Sequence, residues 1–173
     1  MPTRFTIRDL RPEESAALGR LLVEVYSNLE GFPKPDQQPD YYAMLADIGR
    51  FTEKHEARVL VAAFATGELL GGVVYFGDMA EYGAGGAATS VTDASGIRLL
   101  GVSARFRGAG AGKALTQACI ELARAKRHAQ VVLHTTHAMR TAWGLYERMG
   151  FLRSADLDFE QQGLPVFGFR LRL

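Results

Sequence analysis

Apolar positions recur at two different periods along this chain, and the switches between those periods outline a fold. RFTIR, residues 4–8, reads as a short opening strand. In RPEESAALGRLLVEVY, residues 11–26, Leu18, Leu21, Leu22 and Val25 return at helical spacing, which predicts a helix. Pro12 suits its first turn, and Glu13 and Glu14 suit the positive end of its dipole. A proline-containing loop, residues 27–40, leads to a second, shorter helix in YYAMLADIGRF. Residues 57–77, ARVLVAAFATGELLGGVVYFG, hold two valine-rich runs around ATGE, a hairpin signal. Both runs are nearly continuous rather than alternating, so their sheet is expected to be covered on both faces.

Residues 78–95, DMAEYGAGGAATSVTDAS, break all periodicity and read as a long, mobile loop. GIRLLGV, residues 96–102, is the next strand, and GKALTQACIELARAKRH, residues 112–128, is a strongly amphipathic helix. AQVVLHTT then reads as a strand and AMRTAWGLYERMG as a helix ended by Gly150. FLRSADLDFE and LPVFGFRLRL supply two closing strands. The order is β-α-α-β-β-β-α-β-α-β-β, one mixed α/β domain over residues 1–173.

Composition removes several function classes. Lys plus Arg is 20 and Asp plus Glu is 19, so the chain lacks the basic excess of a typical nucleic-acid binder. No apolar run reaches the ~18 residues of a membrane span. The opening MPTRFTIRDL has no apolar stretch of the signal-peptide kind, and a cytoplasmic protein is expected. Cys119 is the one cysteine and shares an apolar helical pattern with Leu115 and Leu122, so it reads as core rather than as a reactive thiol.

The stretch RFRGAGAGKAL, residues 105–115, stands where a strand gives way to a helix. A Walker A loop would need glycine at 107 and Ser or Thr at 114, where the chain has Arg107 and Ala114. A dinucleotide fingerprint fails too, because its third glycine falls on Lys113 or on Leu115. The physics still favours an anion: free N–H groups at a helix start bind phosphate, and glycine lets the backbone approach. Lys113 in a first helical turn costs a few tenths of a kcal/mol, up to ~1, unless an anion is bound there. The alternative is a tight turn whose glycines only solve a packing problem.

Here the chain resembles the GNAT N-acyltransferases, a superfamily that moves acetyl groups from acetyl-CoA to amines. Arg107, Gly110 and Gly112 fill its [QR]-x-x-G-x-[GA] signature, and Ala142, Tyr146, Gly150 and Phe151 match its A-x-x-x-Y-x-x-x-G-F helix. The resemblance covers most of the chain, more loosely over residues 27–58 and 78–96. It implies a mostly antiparallel, twisted sheet of about seven strands, splayed between strands four and five and flanked by about four helices. It implies acetyl-CoA or CoA as cosubstrate and no metal. The pyrophosphate would lie on residues 107–113, that is Arg107, Gly108, Ala109, Gly110, Ala111, Gly112 and Lys113. The pantetheine arm would run along the backbone of Leu100, Gly101 and Val102. Gly101 is expected to mark a bulge or a close approach, or else a packing accommodation.

The resemblance also implies chemistry. The N–H of Val102 would face the developing oxyanion, and Tyr146 would donate a proton to the departing thiolate as general acid. Many relatives carry a glutamate base on strand four, and GIRLLGV has none. Glu30, Asp78, Glu81, Asp93, His134 and His137 remain as candidates, with Glu30, Tyr42, Glu81 and His134 proposed to line the acceptor site. His134 and His137 without clustered Cys, Asp or Glu are a weak metal signal. Met139 stands where many relatives use asparagine against the cofactor. The acceptor expected is a small-molecule or peptide amine, with no nucleic-acid or membrane partner; relatives are often dimers. A GNAT-like module that binds CoA or acyl-CoA without turnover is the alternative.

Overall fold

The two valine-rich runs form the hairpin on which the sheet is built. The computed structural model describes residues 4–83 and 85–173. The predicted domain's first residues, 1–3, and position 84 of the predicted loop lie outside the described residues. Strands β1 (Phe5–Asp9), β2 (Ala57–Phe64) and β3 (Leu69–Phe76) pair antiparallel. β4 (Ala94–Val102) is antiparallel to β3 and parallel to β5 (Gln130–Thr135). The last strand, β8 (Leu164–Arg172), pairs antiparallel with β5 and carries the short β6 (Leu152–Arg153) and β7 (Phe159–Gln161). The path through the sheet is β1-β2-β3-β4-β5-β8-β6, with β7 on β8.

Helices cover both faces, as the continuous apolar runs require. Helices α1 (Ser15–Ser27) and α2 (Pro39–Ala46) pack on one side with Val61, Val74 and Phe76. Helices α3 (Ala111–Ala125) and α4 (Arg140–Arg148) pack on the other with Leu60, Val73 and Tyr75. Neighbouring residues of one strand therefore feed opposite cores, and alternation disappears from the sequence. Cys119 is fully buried in the second core, and burial pushes its thiol up to about 12.

Three features depart from expectation. The predicted strand FLRSADLDFE is split into β6 and β7, so the described residues hold eight strands rather than seven. Between them Leu157 turns fully inward, to where a Cβ on Gly168 would lie only 2.3 Å from its own. The second helix ends at Ala46, and the chain continues as a 3-10 turn over Ile48–Glu53. The loop over 78–93 is not free of the core: Met79, Tyr82 and Ala88 are buried, and it holds the 3-10 turns Met79–Glu81 and Ala88–Ser90.

Candidate active site

The site begins where β4 leaves its neighbours. Pairing of β4 with β5 runs from Ala94 opposite Gln130 to Ile97 opposite Leu133 and stops there, although both strands continue. On its other edge β4 places two residues opposite one of β3: Arg98 pairs Val74 and Gly101 pairs Gly72. This bulge carries Leu99 at a φ of 61°, the left-handed region that costs a branched residue about 1–2 kcal/mol. Burial of Leu99 holds it there. Gly101 thus sits beside the bulge rather than forming it. A Cβ on Gly101 would lie 2.6 Å from Leu22 Cδ2, so the packing of α1 is what asks for glycine.

The V between the strands opens into a cavity of about 540 Å³. Leu100, Gly101 and Val102 line one wall, and the Tyr26 hydroxyl donates to the Leu100 carbonyl at 2.8 Å. The glycine turn forms the mouth. Gly108 and Gly110 have φ of 84° and 89°, and a Cβ on either would touch nothing within 4 Å, so backbone conformation and not crowding requires them. Gly110 caps α3 with no side-chain hydrogen bond, which leaves the first-turn N–H groups of the helix without a side-chain acceptor. Gly112 differs: its φ is ordinary, and a Cβ would point between Val102 and Leu145, 3.8 and 3.6 Å away. Arg107, Ala111 and Lys113 also line the cavity, whereas Ala109 does not; its N–H bonds the Phe106 carbonyl at 3.4 Å.

Tyr146 reaches the cavity from α4. The side chain is 4% exposed, packs edge-on against Phe151, and its hydroxyl has no hydrogen-bond partner among the described residues. Burial holds its pKa well above the usual phenol value, so the hydroxyl stays protonated. Met139 stands at the N-cap of α4 and lines the cavity.

Aromatic side chains add a further wall, built by Tyr26, Phe32, Tyr41, Tyr82 and Phe159. His134 joins it from the end of β5. Its Nε2 lies 2.8 Å from the Leu157 carbonyl, which can only accept, so Nε2 carries the hydrogen. Its Nδ1 therefore accepts from the Tyr82 hydroxyl at 2.9 Å. Burial lowers the His134 pKa, and the nearby charge of Arg98 adds to that. The remaining candidates lie elsewhere. Glu30 is exposed, Glu81 pairs with Lys54 at 3.5 Å, and the Tyr42 hydroxyl donates to the Pro33 carbonyl at 2.6 Å. Asp78 caps Ala80 and pairs with His55, Asp93 lies at the start of β4, and His137 stacks on Trp143 outside the cavity.

Sequence reasoning passed over Tyr26 and Arg98, and named Tyr41 only together with Tyr42 among the acceptor walls. Helix phase separates the two: Tyr42 and Leu45 are three apart and share the core face of α2, which turns Tyr41 toward the cavity. An arginine inside an otherwise apolar strand is the signal for Arg98.

Comparison with known proteins follows the same outline. The model of the acetyltransferase (GNAT) family matches residues 21–151. N-acetylaspartate synthetase from Danio rerio is 39% identical over 62 residues, 36% of this chain and 22% of that protein, so the chain spans about a fifth of that relative. A GNAT-family acetyltransferase from Staphylococcus aureus Mu50 superposes with a TM-score of 0.75 at 16% identity, covering 98% of this chain and 99% of that one. A GCN5-related N-acetyltransferase from Kribbella flavida gives 0.73 at 19% identity over the whole of both chains. PaiA N-acetyltransferase from Thermoplasma acidophilum, solved in complex with coenzyme A, gives 0.72 at 16% identity, covering 98% and 99%.

Proposed function

The chain belongs to the GNAT acetyltransferase family, and from that premise we propose that it transfers an acetyl group from acetyl-CoA to a small-molecule or peptide amine. One observation carries the reading. The unpaired edge of β4, the uncapped start of α3 and the unpartnered hydroxyl of Tyr146 converge on a single cavity. Acetyl-CoA supplies an activated thioester. The N–H groups around residues 107–113, with Arg107 and Lys113, hold its pyrophosphate, and the backbone of Leu100 to Val102 holds its arm as an added strand. Gly112 supports this assignment, since the protein's own packing leaves its Cβ space free.

The residues then divide the chemistry. The N–H of Val102 faces the carbonyl oxygen as the amine nitrogen bonds to its carbon. As the carbon–sulfur bond breaks, Tyr146 donates a hydrogen bond and then its proton to the sulfur. Its raised pKa makes complete transfer uphill, so the hydrogen bond to the forming thiolate is the larger contribution. The amine must lose a proton; the Tyr82 hydroxyl is fully buried and engaged by His134, so that proton is assigned to water in the cavity rather than to a side chain. No Asp or Glu lines the cavity among the described residues, and that observation favours the second reading, a CoA-binding module without turnover.

Thiol release from acetyl-CoA, followed across a panel of amines, separates the two. Tyr146→Phe is expected to lower kcat about 10²–10³-fold while leaving the Kd for CoA unchanged. An unchanged kcat with a good acceptor would remove Tyr146 from the chemistry.

A further inference from the structure

We propose that the acceptor amine carries a carboxylate and that Arg98 binds it; the assignment rests on the acetyl-transfer reading above. Arg98 is the first residue of β4 beyond its last pair with β5, and it lines the cavity. Its guanidinium donates to the Tyr82 carbonyl at 2.9 Å and lies 5.8 Å from the centre of the Tyr82 ring. That engages one of five N–H donors. No carboxylate pairs with it among the described residues. A half-buried cation held in an aromatic chamber without a counter-ion is costly unless a ligand supplies one.

The charge of the whole cavity points the same way. Among the described lining residues the permanent charges are Arg98, Arg107, Lys113, Arg140 and Arg148, all positive. Arg107 and Lys113 belong to the turn and helix start at the proposed phosphate end, and Arg140 and Arg148 belong to α4. Arg98 belongs to neither: its charge acts on the hydroxyls of Tyr26, Tyr41 and Tyr82 and on the His134 ring, which sets it among the acceptor walls.

Further polar groups are free to meet a carboxylate or the amine beside it. The Tyr41 hydroxyl has no hydrogen-bond partner among the described residues. The hydroxyls of Thr135 and Thr136 are buried and unpartnered, and both residues line the cavity. A polyamine would bring more positive charge to a chamber that offers it no anion. An amino acid instead pairs its carboxylate with Arg98.

The test uses glycine, L-methionine, L-phenylalanine, L-glutamate and β-alanine, each against its carboxamide, with spermidine as cationic control. Thermal shifts are read on the protein saturated with CoA, and thiol release is read with acetyl-CoA. At least one acid is expected to raise Tm where its amide does not, and to be acetylated with a kcat/KM roughly 10- to 100-fold above the amide. Arg98→Gln should abolish that preference through KM, Arg98→Lys should keep part of it, and both should bind CoA as the wild type does, which confirms the fold. An acid-specific shift without thiol release from any amine would support the Arg98 site and overturn acetyl transfer. Equal responses to acids and amides, a preference for spermidine, no shift with any acid, or a preference that survives in Arg98→Gln would overturn the proposal.

Discussion

Gly112→Ala separates a cofactor cradle from a packing glycine, because the two explanations predict opposite signs for stability. The residue lies in the first turn of α3 with an ordinary φ, and its added methyl would meet Leu145 and Val102 at 3.6 and 3.8 Å, normal contact distances. Nothing in the protein resists the methyl. Alanine exceeds glycine in helix propensity by about 0.8–1.0 kcal/mol, so the free protein should gain up to about 1 kcal/mol, some 2–4 °C in Tm for a chain of this size. Coenzyme A should see the reverse. The methyl would stand between β4 and α4 at the neck of the V, where the arm of the cofactor must pass close to the backbone. A loss of about tenfold in affinity, about 1.4 kcal/mol, is expected by calorimetry. Gly110→Ala is the internal contrast: its φ of 89° is strained for alanine, so it should destabilise by about 1–2 kcal/mol with no steric clash at all. A Gly112→Ala protein that is more stable and binds coenzyme A as tightly as wild type would refute the cradle. One that is destabilised would return Gly112 to packing.

Two further substitutions probe the charged parts of the site. Lys113 is exposed, makes no ion pair among the described residues, and opposes the dipole of α3; Lys113→Glu should stabilise the free protein by about 0.3–1 kcal/mol yet weaken coenzyme A binding, by less at high salt. Unchanged affinity would remove Lys113 from the phosphate site. Burial holds the His134 pKa below its unfolded value near 6.5, so the unfolded chain takes up a proton first as pH falls. The stability this neutral ring contributes is complete above about 6.5 and is lost as pH drops through the folded value, so Tm should decline from pH 7 to 5 and decline less in His134→Gln; parallel curves would show that His134 titrates unperturbed.

The glycine-turn end of the cavity, proposed to hold the cofactor, was legible because its physics is local. Glycines at positive φ, a helix start and a tyrosine on the face of the next helix are all spacings within one stretch of chain. Of the readings open for Gly101, the packing accommodation is the one the structure shows, and the bulge lies at Leu99 for an equally physical reason. Glycine is the usual marker of irregular backbone, but here a buried leucine takes the left-handed conformation and the glycine answers to Leu22, which is remote in sequence. The acceptor half was hidden because it is assembled from α1, α2, β4, β5, the loop over 78–93 and the closing hairpin. Glu30 and Glu81 looked chemical in sequence, yet one faces solvent and the other meets Lys54. Tyr42 stood among the candidates beside Tyr41, and one residue on a helix is a turn of about 100°, which puts Tyr42 in the core and Tyr41 on the cavity.

The loop over 78–93 leaves no room for a side chain at position 96 of β4. A Cβ on Gly96 would lie 2.4 and 2.6 Å from Tyr82 Cδ1 and Cε1, and 2.9 Å from Met79 Sδ. The space that a side chain at 96 would need is filled by the Tyr82 ring. Tyr82 is fully buried, packed against Phe76, and its carbonyl fixes the Arg98 guanidinium while its hydroxyl reaches His134. One aromatic side chain thus fills the space beside Gly96, holds the cation proposed to read the acceptor, and bonds a neutral imidazole. A glutamate at 96 would displace that ring and place an anion beside Arg98, neutralising the charge that a carboxylate substrate needs. Under the proposed function, the glycine at 96 and the unpaired Arg98 are therefore one arrangement: the Tyr82 ring takes the side-chain space at 96, and the cation is left for the substrate.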